Sequence, residues 1–433
     1  MRRSTHDREI LRLALPALGA LAAEPLYLLA DTAIVGHLGT PQLAALALAA
    51  TVLGAVVAIC NFLQYGTTAR VARLHGAGEA EAAGAIAAQS LWMSVGIGVA
   101  VAALVAALAG PVVSLVGGGG HVADLAARYL RLSAAGLPCA LIALAGEGWL
   151  RGMDRFRIAL VVVVAANVVN VALELLLVYG LGWGLDGSAL GTVFAQLGMG
   201  AAFAWLLLRA PAATRRPSWA LTRPLLRVGG QIAVRTTALL ACFTIASAVL
   251  ARVGPASLGA HQVAYQLFIF LALVLDAIAI AGQVMVGRAL GAGDADGAHA
   301  AGRRMIEWSL AAGVVFGVAL LALRGALPHA FTGDARVVNR LHALWPFFVA
   351  MQPVGAIAFA LDGILIGASD TRYLAATMVL AAAAFVPVAL LALHFGWGVI
   401  GVWAGLDLLM VVRAGTNGLR FAGRRWALVG ATA

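Results

Sequence analysis

The sequence predicts an all-α membrane protein: about twelve transmembrane helices in two pseudo-symmetric six-helix bundles, arranged as parallel repeats around a central cavity. Three observations predict this class. First, of 433 residues 62% are hydrophobic and only 11% charged, and the mean hydropathy is +0.96, far from the balance of a soluble chain. Second, apolar runs of about 20 residues, each able to cross roughly 30 Å of hydrocarbon as a helix, recur about twelve times. Third, the sequence repeats itself half-way along. The runs are rich in Ala, Leu, Val and Gly without period-2 alternation, which excludes a β-barrel.

Taken in order, the candidate spans are residues 10–36, 44–69, 84–110, 122–147, 157–181 and 187–208. After a break come 224–251, 256–287, 303–327, 341–367, 373–396 and 398–420. The break, Ala210 to Thr222, carries Pro211, Arg215, Arg216 and Pro217, so it reads as a cytoplasmic linker. The expected organisation is therefore an amino-terminal bundle over 1–209, a linker over 210–222, and a carboxy-terminal bundle with a short cytoplasmic tail over 223–433. Arg2 and Arg3 before an apolar run imitate a signal peptide, but the run continues past Ala20-Leu21-Ala22 and the repeat requires the helix, so no cleavage is expected.

Sliding the sequence by 215 residues places Gly76-Ala77-Gly78-Glu79 on Gly291-Ala292-Gly293-Asp294, Arg73 on Arg288, Pro138 on Pro353, Gly148 on Gly363 and Gly152 on Gly367. At 214 it places Gly182-Trp183-Gly184 on Gly396-Trp397-Gly398. Two halves with an even number of spans enter the membrane in the same sense, so their axis lies along the membrane normal, with a transport path between them.

A net charge of +10 raises nucleic acid as a partner, and the placement of the charge dismisses it. All 29 basic side chains are Arg. With the amino terminus inside, 22 fall in inner segments, while Arg128, Arg131, Arg252, Arg324, Arg336 and Arg340 fall outside and Arg235 lies mid-span. That asymmetry predicts both termini in the cytoplasm. Cys60, Cys139 and Cys242 sit apart in apolar spans and read as small core residues.

Polar residues inside the spans carry the functional reading. Glu24 and Asp31, seven residues apart, emerge on one face of the first helix about 10 Å apart along its axis. Asn167, Asn170 and Glu174 share a face of the fifth span. Asp31, Glu174, Tyr129 on the fourth span and Thr192 on the sixth fall at one depth, so they are expected to line one pocket. Two carboxylates in a poorly solvated pocket do not both ionise cheaply, which makes a proton site of Asp31 and Glu174 with Asn170, Thr192 and Tyr129 as partners. Sodium at Asp31, Asn170 and Glu174 is the alternative ion, and plain interhelical hydrogen bonding the alternative role. The repeat places Asp31 on Ala246 and Glu174 on Ala389, so these acids belong to one half alone.

Other polar residues read as architecture. Glu147 falls on Asp362, a pair of structural or gating acids. Arg235 and Asp276 lie at one depth on adjacent spans and read as an ion pair. Pro25 removes a backbone donor and permits a hinge beside Glu24. Gly291-Ala292-Gly293-Asp294 superficially fits an intramembrane aspartyl protease motif, but it lies in a loop and reads as a turn whose acid caps the next helix. No zinc-protease, hydrolase-elbow or Walker signature is present, so no cofactor is expected, and ATP-driven transport would need a separate subunit.

Several stretches together resemble the multidrug and toxic compound extrusion (MATE) family, most closely its DNA-damage-inducible branch. They are Glu24-Pro25-Leu26, Asp31 to Gly39, Tyr65 to Ala69, Asn170 with Glu174, Gly187-Ser188-Ala189, Ala260-His261-Gln262, Gly291 to Asp294 and Asp362 to Gly367. The resemblance covers essentially the whole chain. It implies twelve helices in two bundles and export of drugs or toxic amphiphiles, often cationic, across a bacterial plasma membrane in exchange for H⁺ or Na⁺. It also implies coupling acids at Asp31 and Glu174 with Asn170. Here the acid on the fifth helix is Glu where relatives have Asp, which favours proton coupling over an exacting sodium geometry. Two rivals stay open: a flippase of lipid-linked sugars, which would want a strongly cationic cavity, and an intramembrane enzyme using Asp31 with Glu174.

Overall fold

The computed structural model describes residues 2–431, and they form helices joined by short turns, with no strand among them. In chain order the helices are α1 (Arg2–Gly36), α2 (Thr40–Cys60), α3 (Phe62–Gly76), α4 (Ala80–Leu115), α5 (Gly120–Ala134), α6 (Leu137–Gly152), α7 (Phe156–Leu175) and α8 (Gly184–Arg209). Then follow α9 (Trp219–Val253), α10 (Pro255–Gly291), α11 (Ala295–Ala322), the short α12 (Leu327–Phe331), α13 (Ala335–Gly367), α14 (Thr371–His394) and α15 (Gly398–Ala422). A π-helical turn, Leu176–Gly180, extends α7. Eleven helical stretches among these residues are long and apolar enough to cross a membrane, α2 with α3 counting as one. The pair α5 and α6 makes a twelfth, bent by 54°.

That bend corrects the expectation of an unbroken span over 122–147. Its repeat partner α13 runs straight through Pro353, whereas the chain breaks just before Pro138. The neighbours of the two prolines explain the difference. Gly136 precedes Pro138, and α8 crosses so closely that a Cβ there would lie 2.0 Å from Gln196 Oε1. In α13 the matching residue is Met351, and Gln352 Nε2 donates to the Phe348 carbonyl at 3.0 Å, supporting the backbone beside the proline.

The chain divides into two compact units, one of Gly19–Gly229 and one that joins Gly230 onward to the residues through Leu18. This differs from a division at 209 and 223, because the first turns of α1 and of α9 are each built into the unit of the other half. In the second unit Asp7 Oδ1 accepts from Arg304 Nε at 2.6 Å and from Trp308 Nε1 at 2.8 Å, and Glu9 pairs with Arg288. In the first unit Gln89 Oε1 accepts from Ser218 N at 2.9 Å and from Thr222 Oγ1 at 3.2 Å. Offset by 215, Thr222 stands on Asp7 and Gln89 on Arg304, so one contact occurs twice, once ionic and once neutral. The 210–222 segment is accordingly not a loose tether: Ala213 N donates to Glu81 O at 3.2 Å, and Trp92 Nε1 to Arg215 O at 2.9 Å.

Within each unit the helices approach through glycine. Between transmembrane helices the hydrophobic effect drives little, so close backbone contact must supply the packing energy. A Cβ on Gly148 would lie 2.5 Å from Gln64 O, and one on Gly363 would lie 2.2 Å from Ala279 O. Gln64 and Ala279 are themselves 215 apart, so the repeat read in the sequence is a repeat of packing. The loop at Gly291 to Asp294 is a turn, with Asp294 Oδ1 accepting from Gly297 N at 2.7 Å to cap α11. Glu79, its counterpart, makes no such bond. Cys60 and Cys242 are buried and Cys139 half-buried, all three as free thiols.

Candidate functional site

The site lies in the first unit, where the last turns of α1 meet α5, α7 and α8. Asp31 is 2% exposed and Glu174 is fully buried. Their carboxyl groups are near neighbours, and hydroxyl groups hold each of them. Ser188 Oγ of α8 donates to Asp31 Oδ1 at 2.8 Å. Tyr27 of α1 and Thr192 of α8 lie 3.0 and 3.3 Å from Glu174 Oε1 and 2.8 Å from each other, so their two hydroxyl protons are shared over three contacts. Tyr129 of α5 is buried beside Ser188, Thr192 and both acids. Glu174 Oε2 is buried with no hydrogen-bond partner.

Local sequence produces this arrangement. Tyr27 precedes Asp31 by four residues and Ser188 precedes Thr192 by four, so each helix presents two polar groups on one stripe. Gly191 lets α8 approach α7, since a Cβ there would lie 3.0 Å from Glu174 Cγ. Just beyond Glu174 the π turn widens α7, and Tyr179 in that turn donates to Ile34 O of α1 at 2.6 Å. The two helices that carry the acids are therefore tied on the far side of the site.

The structure thus brings together Asp31, Glu174, Tyr129 and Thr192 as the depth argument expected. It buries Asn170 one turn before Glu174, with its Oδ1 unpartnered. Asn167 is directed elsewhere, donating to Ala23 O at 3.1 Å and clamping α1 near Pro25. Glu24 is exposed and stands outside the cluster. Tyr27 and Ser188 were not singled out from the sequence, although four-residue spacing to Asp31 and Thr192 was the available signal.

The remaining acids are held by cations and amides. Glu147 Oε2 accepts from Arg151 Nη2 at 2.8 Å and from Gln64 Nε2 at 2.9 Å. Asp362 Oδ2 accepts from Arg413 Nη2 at 2.6 Å and from Arg235, while its Oδ1 accepts from Asn417 Nδ2 at 3.0 Å. Arg235, matched with Asp276 by depth, pairs with Asp362 on α13. Arg413 was missed because it falls near the end of an apolar run and was counted there as an inner charge.

A search against family models matches the one described as MatE over residues 16–176 and 232–391, one stretch in each half. The chain belongs to the MATE family. It is 30% identical to the DNA damage-inducible protein F of Escherichia coli (strain K12), over 95% of this chain and 91% of that protein. It is 30% identical to the probable multidrug resistance protein NorM of Bradyrhizobium diazoefficiens, over 98% and 94%. Among solved structures, a MATE protein crystallised in the bent conformation superposes with a TM-score of 0.90 at 21% identity, covering 98% of this chain and 97% of that one. The two separate matched stretches agree with the internal repeat. As a MATE protein the chain is a multi-pass membrane transporter of the multidrug efflux class rather than an enzyme.

Proposed function

We propose that this MATE transporter is a secondary antiporter that exports organic, often cationic compounds in exchange for protons, with Asp31 and Glu174 as the coupling pair. The observation that carries the proposal is the juxtaposition of two buried carboxyls, each held by hydroxyl groups, with one carboxyl oxygen of Glu174 without a hydrogen-bond partner. Intramembrane acids that no cation neutralises are expensive and functional by default. Hydroxyl donors aimed at carboxyl oxygens suit a site that gains and loses a proton. A sodium ion would compete with those donors for the same lone pairs, so the proton is the better reading.

In the proposed cycle the drug enters from the cytoplasm or inner leaflet and the transporter alternates between inward-facing and outward-facing states. A proton reaching the pair from outside neutralises it, α1 bends or repacks about Pro25, and the drug leaves. Coupling requires that the protonated and drug-bound forms prefer different states. Both termini lie in the cytoplasm of a bacterial cell, and no ATPase subunit takes part. The flippase reading is disfavoured because the buried Arg413 and the half-buried Arg235 of the second unit both pair with Asp362. The test is purified protein in liposomes with a fluorescent organic cation, under an imposed pH gradient or an imposed Na⁺ gradient. Export driven by Na⁺ alone would refute proton coupling, and turnover of a substrate without transport would revive the enzyme.

A further inference from the structure

The second unit carries polar groups of its own that the mechanism above leaves unused. The repeat places Tyr27, Asp31, Ser188 and Thr192 on Cys242, Ala246, Val402 and Leu406, all members of the apolar core of that unit. One residue along from two of these stand Ser247 on α9 and Trp403 on α15. Between them is His261 of α10, fully buried. Its own counterpart, Leu46, is an ordinary core residue of the first unit.

Ser247 Oγ stands 3.1 Å from Phe243 O and 3.1 Å from His261 Nε2, so its single proton serves one or the other. The second ring nitrogen, Nδ1, is buried without a hydrogen-bond partner. The ring stacks on Tyr265 at 5.9 Å and meets the indole of Trp403 edge-on at 5.8 Å. Trp403 Nε1, a donor, is likewise buried without a partner. One turn further along the same face of α15 comes Asp407, whose Oδ1 is buried and unpartnered as well. Each of these three atoms costs free energy while it lacks a partner.

We propose that His261, Trp403 and Asp407 form a second proton-binding locus, placed in the unit that lacks Asp31 and Glu174. The ligand is a proton, taken up on the unprotonated ring nitrogen of His261 or on the Asp407 carboxylate, with no bond broken. A proton needs no cavity. A metal cation would need several oxygen ligands, and Asp407 with Ser247 cannot supply them. The face of Tyr265 favours an imidazolium stacked beside it, and Asp407 stands one turn beyond Trp403 on α15.

The other titratable groups on the surrounding helices are otherwise engaged. Asp362 of α13 is held by Arg235 of α9 and Arg413 of α15. Asp276 of α10 has an interaction of its own. Tyr373 of α14 donates to Thr416 O at 2.8 Å. Cys242 of α9 is a buried thiol, and Tyr265 belongs to the stack.

The experiment is difference infrared spectroscopy of the full chain in lipid nanodiscs between acid and alkaline buffers, which reads buried carboxyl protonation without transport. In an Asp31→Asn/Glu174→Gln background a protonated-carboxyl band should remain. Asp407→Asn should abolish it, and His261→Gln, which keeps the carboxyl, should displace its pH midpoint. The proposal is overturned if no band remains in that background, or if the band and its midpoint are unchanged in both variants. Because transport is not read, failure here leaves the proposed coupling pair untouched, and failure of that pair leaves this locus standing.

Discussion

Asp31→Asn separates folding from coupling, and the structure sets the size of each effect. The amide keeps an oxygen at the position of Oδ1, so Ser188 Oγ, 2.8 Å away, retains an acceptor. What is lost is the difference between a hydrogen bond to a charged group, about 1.5–3 kcal/mol, and one to a neutral group, about 0.5–1.5 kcal/mol. A loss of about 1 kcal/mol lowers the melting temperature of a unit of this size by roughly 2–4 °C. Transport should fare far worse. Each proton crossing a gradient of one pH unit supplies about 1.4 kcal/mol, enough for at most a tenfold gradient of drug. Because the Asp31 and Glu174 carboxyls adjoin, they act as a single acceptor, and either neutral variant should abolish the accumulation instead of halving it. The assay is accumulation of a fluorescent cation in proteoliposomes under a fixed pH gradient, alongside thermal unfolding in detergent. Undiminished tenfold accumulation by Asp31→Asn or Glu174→Gln would refute the reasoning, as would two half-effects that add.

Three further outcomes are expected. Asp362→Ala takes the carboxylate from the buried Arg413 and should destabilise by about 3–5 kcal/mol; a thermal melt indistinguishable from wild type would show that the cluster does not stabilise the unit. Gly148→Ala and Gly363→Ala force a methyl group against Gln64 O and Ala279 O, and each should cost roughly 1–3 kcal/mol, so a large effect at one position with none at the other would contradict equivalent packing in the two units. Tyr179→Phe deletes the 2.6 Å bond to Ile34 O and should cost about 1 kcal/mol while speeding amide exchange at the end of α1, measured by mass spectrometry.

The sequence made the class, the spans and the repeat legible because each is written in composition or in a gap-free offset. It also placed Asp31, Glu174, Thr192 and Tyr129 at one depth, since rise per residue converts position into depth without knowledge of packing. What it concealed depends on which face meets which. Pro138 and Pro353 look equivalent, yet only the first has Gly136 beside it and α8 pressed against it. Glu24 shares the azimuth of Asp31, yet its side chain is exposed where that of Asp31 is buried. Asn167 sits on the face of Asn170 and Glu174, yet it reaches back to the α1 backbone. Arg235 pairs with Asp362, an acid that depth alone did not name. The exchange of the first turns of α1 and α9 could not be read at all, because helix periodicity says nothing about which bundle a helix end joins.

That exchange bears on how the protein is made. Asp7 and its partner Arg304 are separated by 297 residues, and at about 5–20 residues per second the ribosome needs roughly 15–60 s to bridge them. Throughout that interval Asp7 has been synthesised while the surface that receives it has not. Insertion can proceed helix by helix, but the second unit cannot close until its oldest residues return to it. A chain severed between the halves would leave each fragment holding a piece that the other requires.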